Sequence, residues 1–338
     1  MNGIKHTVGI MITVICITIL AFGLIRLTPG DPVLLMIGER GSDPIQYQKV
    51  ATQLGLDKSI TEQYQNFLSQ AVQGNFGTSV VSSRPVKEEL LARWPATIEL
   101  GLFAMLLSLL IGIPAGIIAA VYRRRIADYV VTISSLVGYS MPIFWWGLVL
   151  ILIFSVTLDL TPVSGRLDIL YDIEPHTGFM LIDSLLSNAR EEYQLDAFAS
   201  ALHHLLLPGI VMATVPIAVF ARITRSSMLE VLSEDYIRTA RAKGLSEFRV
   251  IMFHAFRNAL IPIITIGGLF FVSTVVAGAI LTETIFGWPG IGNYIVSSVY
   301  ARDYPVIQAC ILVIGMLVII VNMTTEYLYR LVNPRMRH

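Results

Sequence analysis

Six apolar stretches constrain this chain more than any other feature of its sequence. They cover approximately residues 6–27, 97–121, 129–156, 205–221, 259–281 and 305–329. A bilayer core about 30 Å thick is crossed by about 17–25 apolar residues in a helix that rises about 1.5 Å per residue, so these stretches have spanning length. No small-residue cleavage site follows the first stretch, which indicates an uncleaved helix. The sequence predicts an all-α polytopic membrane protein with six transmembrane helices.

Composition supports the membrane class. The 338 residues are 54% hydrophobic and only 14% charged, and the mean hydropathy is +0.68, which is too apolar for a soluble domain of this length. The formal net charge is zero, so bulk charge gives no indication of an acidic partner such as nucleic acid. Cys16 and Cys310 both lie in apolar stretches, and we interpret them as small core residues.

The connections between the stretches differ in charge, and this difference predicts their orientation. Basic residues concentrate in the segments expected on the cytoplasmic side: Arg123, Arg124, Arg125, Arg222, Arg225, Arg238, Arg241, Lys243, Arg249, Arg257, Arg330, Arg335 and Arg337. The segment 157–204 instead carries eight acidic residues against Arg166 and Arg190. We therefore expect residues 222–258 and both termini in the cytoplasm, and residues 157–204 outside it.

Residues 233–262 form a charged insert with signals for two short helices and a sharp corner. Ser233 is expected to cap the first helix, and Glu234 and Asp235 place acid in its first turn. Gly244 is expected to end that helix in the left-handed conformation. Ser246 then begins a second helix in the same way.

The first of these helices has two distinct faces. Arg238 and Arg241 are three residues apart on one side, while Ile237, Ala240 and Gly244 lie on another with small or apolar groups. This pattern predicts a narrow apolar ridge with basic flanks that fits a groove on another protein. An ordinary cytoplasmic loop is the alternative interpretation.

The insert also carries a family resemblance. The sequence ARAKG at 240–244, followed by His254, Asn258 and Pro262, resembles the conserved cytoplasmic loop of permease subunits in bacterial ATP-binding-cassette (ABC) importers of the dipeptide, oligopeptide and nickel branch. The Glu-Ala-Ala start of the general family pattern is replaced here by Arg238, Thr239 and Ala240, so no role of that Glu is carried over.

Other phrases extend the resemblance over essentially the whole chain. LTETIFGWPGIGNYIVSSVYARDYP at 281–305 is similar to the peptide-permease signature that follows the fifth helix. YSMPIFWWG at 139–147, TPVSGR at 161–166 and TGFMLID at 177–183 resemble the dipeptide-type first permease subunit. The motifs are specific for the family and less specific for the substrate.

The resemblance implies a type I ABC importer permease fold. Residues 1–95 would be an N-terminal transmembrane helix with a periplasmic segment, and 96–338 the transmembrane domain with the coupling loop 222–258. The implied partners are a second permease subunit, two ATPase subunits, a periplasmic binding protein, a short peptide and the lipid bilayer of the bacterial inner membrane. The chain has no Gly-Lys dipeptide and hence no phosphate-binding loop, so it is expected to be no enzyme, with ATP and Mg bound by the ATPases.

The resemblance and the local chemistry together predict three groups of functional residues. The group expected to couple to the ATPase is Asp235, Tyr236, Arg238, Ala240, Arg241, Ala242, Lys243 and Gly244. The group expected at the outer mouth, where the binding protein docks, is Glu283, Phe286, Trp288 and Asp303. The group expected along the translocation path or its gate is Pro142, Trp145, Trp146 and Pro216.

Other classes of function remain open at this stage. Arg26, Glu99, Glu283 and Glu326 lie near span ends, where snorkelling or interfacial contacts suffice, and this disfavours an ion-coupled secondary carrier. Adjacent helical residues do not share a face, so His203 and His204 are not expected to bind a metal. Within the importer class, haem, nickel and antimicrobial peptides are alternative substrates, and a membrane scaffold or receptor subunit is an alternative outside it.

Overall fold

A computed structural model describes residues 2–27, 33, 44–53, 58–186 and 192–332, and for 2–7, 25–27, 45–46, 49–50, 53, 266–277 and 325–332 it describes the backbone alone. Arg190, Arg335 and Arg337 lie outside the described residues. The helices are, in order, α1 Asn2–Leu27, α2 Pro44–Gln53, α3 Ile60–Val72, α4 Val86–Val121, α5 Ile126–Ser140, α6 Ile143–Leu150, α7 Met180–Asp183, α8 Asp196–Leu232, α9 Asp235–Ala242, α10 Glu247–Arg249, α11 Arg257–Ile285, α12 Ile291–Ala301 and α13 Tyr304–Val332. Two π-helical segments, Ile151–Thr157 and Val250–Phe256, extend α6 and join α10 to α11. This described part contains no β-strand, which confirms the all-α prediction.

Several helices have the length and composition of membrane spans. Those that qualify alone are Val86–Val121, Asp196–Leu232, Glu247–Thr265 and Tyr304–Thr324. The pair Ile126–Ser140 and Ile143–Thr157 qualifies together, with a bend of 106° between its halves, and Val8–Leu24 is a shorter apolar helix. The polytopic class is thus confirmed, whereas the count of six spans stays a prediction.

The prolines differ in their effect on the helices that contain them. Pro114, Pro208, Pro216 and Pro262 lie inside helices that continue through them. At Pro142 the helix is interrupted, because this residue is extended and serves as the N-cap of α6. The predicted span at 129–156 therefore consists of two helical halves that meet at a sharp bend, and its crossing of the membrane as one span stays a prediction.

The described chain divides into two compact units, of which the first comprises residues 1–94 and 294–319. In this unit α1 packs on α3 through the rings of Phe22, Tyr64 and Phe67. The Thr18 hydroxyl lies 2.8 Å from the Tyr64 hydroxyl. Ser59 and Glu62 form the capping box that their spacing indicates, each side chain accepting the backbone N–H of the other.

The second unit comprises residues 95–293 and 320–338 and is organised around α8. This helix packs against α5, α6 and α11. Its crossing with α4 is close at Gly112 and Gly116, since a Cβ at Gly116 would lie 2.5 Å from the Ala221 carbonyl oxygen and one at Gly112 2.8 Å from the Phe220 Cβ. Two glycines four residues apart thus allow the two backbones to approach, as in other membrane helix pairs.

Candidate functional site

Helix α9 is the centre of the predicted coupling site, and its ends follow from local chemistry. Glu234 is the N-cap, with extended backbone angles, so the prediction that Ser233 caps this helix is wrong. The Ser233 hydroxyl instead donates to the Glu230 carbonyl at the end of α8. Gly244 has a φ of +77°, which confirms the predicted left-handed end.

The apolar face of α9 turns inward. Ile237 is fully buried and Ala240 nearly so, in a cluster that includes Met228, Val250 and Ala259. The ridge expected to fit another protein's groove therefore packs into the core of this chain, and Ala240 faces away from any partner surface. The reason is tertiary, because α8 and the helical segment after the corner cover this face of the short helix.

The outward face of α9 keeps the remaining residues of the predicted coupling group. All of them are exposed, namely Asp235, Tyr236, Arg238, Arg241, Ala242, Lys243 and Gly244. Phe248, just past the corner, is 70% exposed and adds an aromatic ring to this basic surface. Basic side chains beside exposed aromatic rings are typical of protein-binding surfaces.

The corner after α9 is fixed by polar contacts. Arg241 donates to both carboxylate oxygens of Glu247, at 2.9 and 3.3 Å, and thereby bridges the turn at Gly244. The Asn258 amide donates to the Tyr236 hydroxyl at 2.7 Å, and that hydroxyl donates to the His254 carbonyl. These contacts tie α9 to the helix that begins at Glu247.

A second ion pair stabilises the neighbouring turn at residues 122–125. Arg225 of α8 donates to both oxygens of Asp128, at 2.5 and 2.9 Å. Asp128 also accepts the backbone N–H of Arg124 at 2.9 Å, and Arg124 has a φ of +62°. Asp128 has no role in the sequence-based predictions, although an acidic residue three positions after a run of three arginines is a usable signal.

The predicted outer-mouth residues of the second unit are all buried. Glu283 and Trp288 are fully enclosed, and Phe286 is 2% exposed. The Trp288 indole donates to the Ala96 carbonyl at 2.9 Å, and Glu283 accepts the backbone N–H of Asn293 at 3.1 Å. These side chains are enclosed and hold the segment after α11 in place, and their role in docking a binding protein stays a prediction.

Asp303, the fourth member of that group, lies in the first unit and is also buried. It accepts the Ser79 hydroxyl at 2.5 Å and the Val81 backbone N–H at 3.3 Å. In the same unit the Tyr294 hydroxyl donates to Glu89, and Arg93 lies over the Tyr294 ring. Burial and the Glu89 carboxylate raise the pKa of Tyr294.

Glu99 and Arg166 form a buried pair that sequence analysis missed. Arg166 donates to Glu99 at 2.6 and 3.0 Å and to the Gly178 carbonyl at 2.8 Å, and the other Glu99 oxygen accepts the Leu181 N–H. The side chains are only 10% and 6% exposed. Glu99 thus makes an enclosed ion pair, where the sequence indicated snorkelling or interfacial contacts near a span end. The usable signal was Arg166, one of only two arginines in a segment with eight acidic residues.

The predicted path residues lie at and near the break between α5 and α6. Trp145 is 46% exposed, and the Trp146 indole donates to the Thr214 hydroxyl of α8 at 3.1 Å. Pro216 is buried within α8. The structure brings Pro142, Trp145 and Trp146 together in one segment, and a role for them in a path stays a prediction.

Several side chains differ from the simplest sequence interpretation. Cys310 is buried, as expected of a core residue, whereas Cys16 is exposed on α1. His203 and His204 each bond a different backbone carbonyl, of Leu160 and Ser200. Among the described residues, no group of three or more His, Cys, Asp or Glu side chains is placed to hold a metal ion.

Comparison with known proteins assigns the class. A family model described as the binding-protein-dependent transport system inner membrane component matches residues 112–338. The model of the N-terminal part of the membrane component in such systems matches residues 3–101. The chain belongs to this family, and it is a permease of the ABC importer class, as the resemblance in its sequence indicated.

Three peptide permeases are similar to this chain over nearly their full length. The di/tripeptide transport system permease protein DppB of Pseudomonas aeruginosa is 54% identical over 99% of this chain and 98% of its own length. The dipeptide transport system permease protein DppB of Escherichia coli is 48% identical over the same shares of the two chains. The corresponding protein of Haemophilus influenzae is 50% identical, also over 99% and 98%.

Proposed function

We propose that this chain forms, with a second permease, the inner-membrane translocation path for dipeptides or short peptides. The observation that carries the proposal is the identity of 48–54% to three peptide permeases over nearly the full length of each chain. Because the alignments leave no large part of either chain unmatched, the same architecture serves the same class of cargo. A periplasmic binding protein delivers the peptide to the outer face.

Two separate ATPase subunits drive the transport. They bind ATP and Mg, and this chain contributes a docking surface and no nucleotide site, since its sequence has no Gly-Lys dipeptide. The basic connections support a cytoplasmic location for the termini and α9, on the side of the membrane where the ATPases are. The exposed face of α9 receives the ATPase, and the contacts of Tyr236 and Arg241 transmit its movement to the membrane helices.

The conformational change of the permease then follows from ATP binding and hydrolysis in the ATPase subunits. ATP binding closes the two ATPase subunits, draws α9 and its counterpart in the second permease together, and opens the path outward. Hydrolysis resets the inward-open state. Because α9 is packed into the core through Ile237 and Ala240, it moves together with α8 and with the helix that begins at Glu247.

Co-purification tests this assignment. We expect a tagged chain, extracted from its native membrane in mild detergent, to bring down a second permease and the ATPase subunits. The purified assembly should hydrolyse ATP faster when the peptide-loaded binding protein is added. Recovery of the chain without ATPase subunits, under conditions in which a second permease stays bound, would contradict the proposal and favour a scaffold role.

A further inference from the structure

The exposed face of α8 is polar near its C-terminal end. Arg222, Ser226 and Glu230 are all exposed and are spaced four residues apart, so they share one face of the helix. By contrast, the exposed residues of α4 include Leu102, Leu106 and Leu110, which are 60%, 52% and 62% exposed. A lipid-facing surface is apolar like that of α4, so the polar face of α8 is suited to water or to a polar ligand.

Arg222 extends along the membrane helices, away from the nearest helix end. α5 and α8 run antiparallel, because Asp128 pairs with Arg225 whereas Gly138 lies beside Thr214. The Arg222 guanidinium lies 5.3 Å from the centroid of the Tyr139 ring. Tyr139 is eleven residues beyond Asp128, which corresponds to about 16 Å of helix at about 1.5 Å per residue.

The Arg222 side chain extends in the direction opposite to that of a snorkelling arginine. An arginine near the end of a membrane helix ordinarily directs its charge toward the nearer headgroups. The nearer end of α8 is Leu232, yet the Arg222 side chain extends in the other direction, toward the Tyr139 ring and the middle of the helix pair. The face of the Tyr139 ring stabilises the cation at that depth.

The guanidinium of Arg222 has no anionic partner within the described part of the chain. No carboxylate lies within 4.0 Å of it there, in contrast to Arg166 and Arg225, each of which donates twice to one carboxylate. An aromatic ring contacts only the face of a guanidinium. The N–H groups at the edge of the guanidinium then remain available for bidentate hydrogen bonds to an anion.

We propose that Arg222, positioned by the Tyr139 ring, is a carboxylate-binding site on the translocation path that takes the C-terminal carboxylate of the peptide. The proposal rests on the proposed function, since the ligand is the cargo of that importer. A carboxylate is the charge that every short peptide with a free C-terminus carries. A site for this group thus recognises peptides without selecting their side chains.

Transport selectivity tests the proposal. The complete importer in vesicles is supplied with dialanine or with dialanine amide, each at a concentration that saturates the binding protein. Hydrogen bonds to a charged group contribute about 1.5–3 kcal/mol, or about 10- to 100-fold. We expect Arg222→Gln to lower dialanine uptake by about tenfold or more and to change dialanine amide uptake little. Wild-type and variant importers use the same binding protein. Its preference for one peptide therefore cancels when the loss of dialanine uptake is divided by the loss of dialanine amide uptake.

Two control variants accompany this experiment. Leu106→Ala changes an apolar residue on the lipid-facing surface of α4 that is 52% exposed, and it should leave the uptake of both peptides unchanged. Arg222→Lys keeps the positive charge but lacks the planar guanidinium, so it should retain part of the preference for dialanine over dialanine amide. Equal losses for the two peptides in Arg222→Gln would overturn the proposal and favour a contact to a partner subunit.

Labelling measures water access independently of transport. In a chain with Cys16→Ala and Cys310→Ala, a cysteine is introduced at Arg222 or at Leu106, and the importer is treated with a membrane-impermeant anionic thiosulfonate. We expect the cysteine at 222 to react at least about tenfold faster than the one at 106, because thiolate reactivity requires water. Equal, slow reaction at both positions would overturn the proposal. If wild-type dialanine uptake is absent, the proposed function fails, and this rate still decides whether position 222 faces water.

Discussion

Replacing Gly244 with tryptophan is expected to abolish peptide-stimulated ATP hydrolysis by the assembled importer while the chain still inserts and folds. A Cβ at Gly244 would meet nothing within 4 Å, so the large side chain projects into open space from the corner after α9. The φ of +77° adds a strain of about 1–2 kcal/mol for any residue with a Cβ. The loss therefore arises where the ATPase docks, and one blocked docking contact of about 2 kcal/mol weakens binding about 30-fold.

Gly244→Ala is the matched control, because it carries the same backbone strain with only a methyl group. ATPase subunits recovered with the tagged chain, and the hydrolysis that loaded binding protein stimulates, are measured for both variants. We expect the alanine variant to retain most of the stimulated activity. Full activity in Gly244→Trp would show that the corner lies outside the docking surface, and equal losses in both variants would assign the effect to strain.

Removing Arg166 is expected to destabilise the second unit strongly. Arg166→Met leaves Glu99 buried without its cation and removes the donor to the Gly178 carbonyl. Breaking a buried pair in this way costs about 3–5 kcal/mol, mainly because one charge stays enclosed. The free energy of unfolding of the purified chain in mild detergent should fall by that amount.

Two further variants distinguish the destabilisation caused by an unpaired buried charge from the destabilisation caused by lost side-chain packing. Adding Glu99→Gln to Arg166→Met removes the unpaired charge, so the double variant should be more stable than Arg166→Met alone. Arg238→Met breaks an ion pair whose side chains are 75% and 94% exposed, and it should change stability little. A double variant no more stable than Arg166→Met would contradict the importance we give to the Glu99 charge.

Local signals were sufficient where neighbouring residues determine the structure. The left-handed conformation at Gly244 and the capping box at Ser59 and Glu62 depend on a few adjacent residues. Ser233 shows the limit of such reasoning, because the end of α8 and the start of α9 compete for the same hydroxyl. The sequence signals of a cap and of a helix end are the same when two helices are separated by two residues.

Burial of the functional groups was not predictable from local pattern. Ile237 and Ala240 form an apolar stripe on a short helix, and the stripe alone does not tell whether the covering surface belongs to this chain or to a partner. The pairs formed by Glu99 with Arg166 and by Asp128 with Arg225 join residues 67 and 97 positions apart. The bend of 106° at Pro142 is larger than a proline kink requires. Each of these features depends on tertiary contacts.

Uptake of labelled dialanine into vesicles is the most direct test of the proposed importer. The vesicles contain this chain with its second permease and ATPase subunits, the binding protein is outside, and the lumen is loaded with ATP and Mg or with neither. We expect uptake that requires both internal ATP and the binding protein and that persists when ionophores remove the proton and sodium gradients. Uptake by vesicles that contain this chain alone, driven by an ion gradient and indifferent to ATP, would contradict the account.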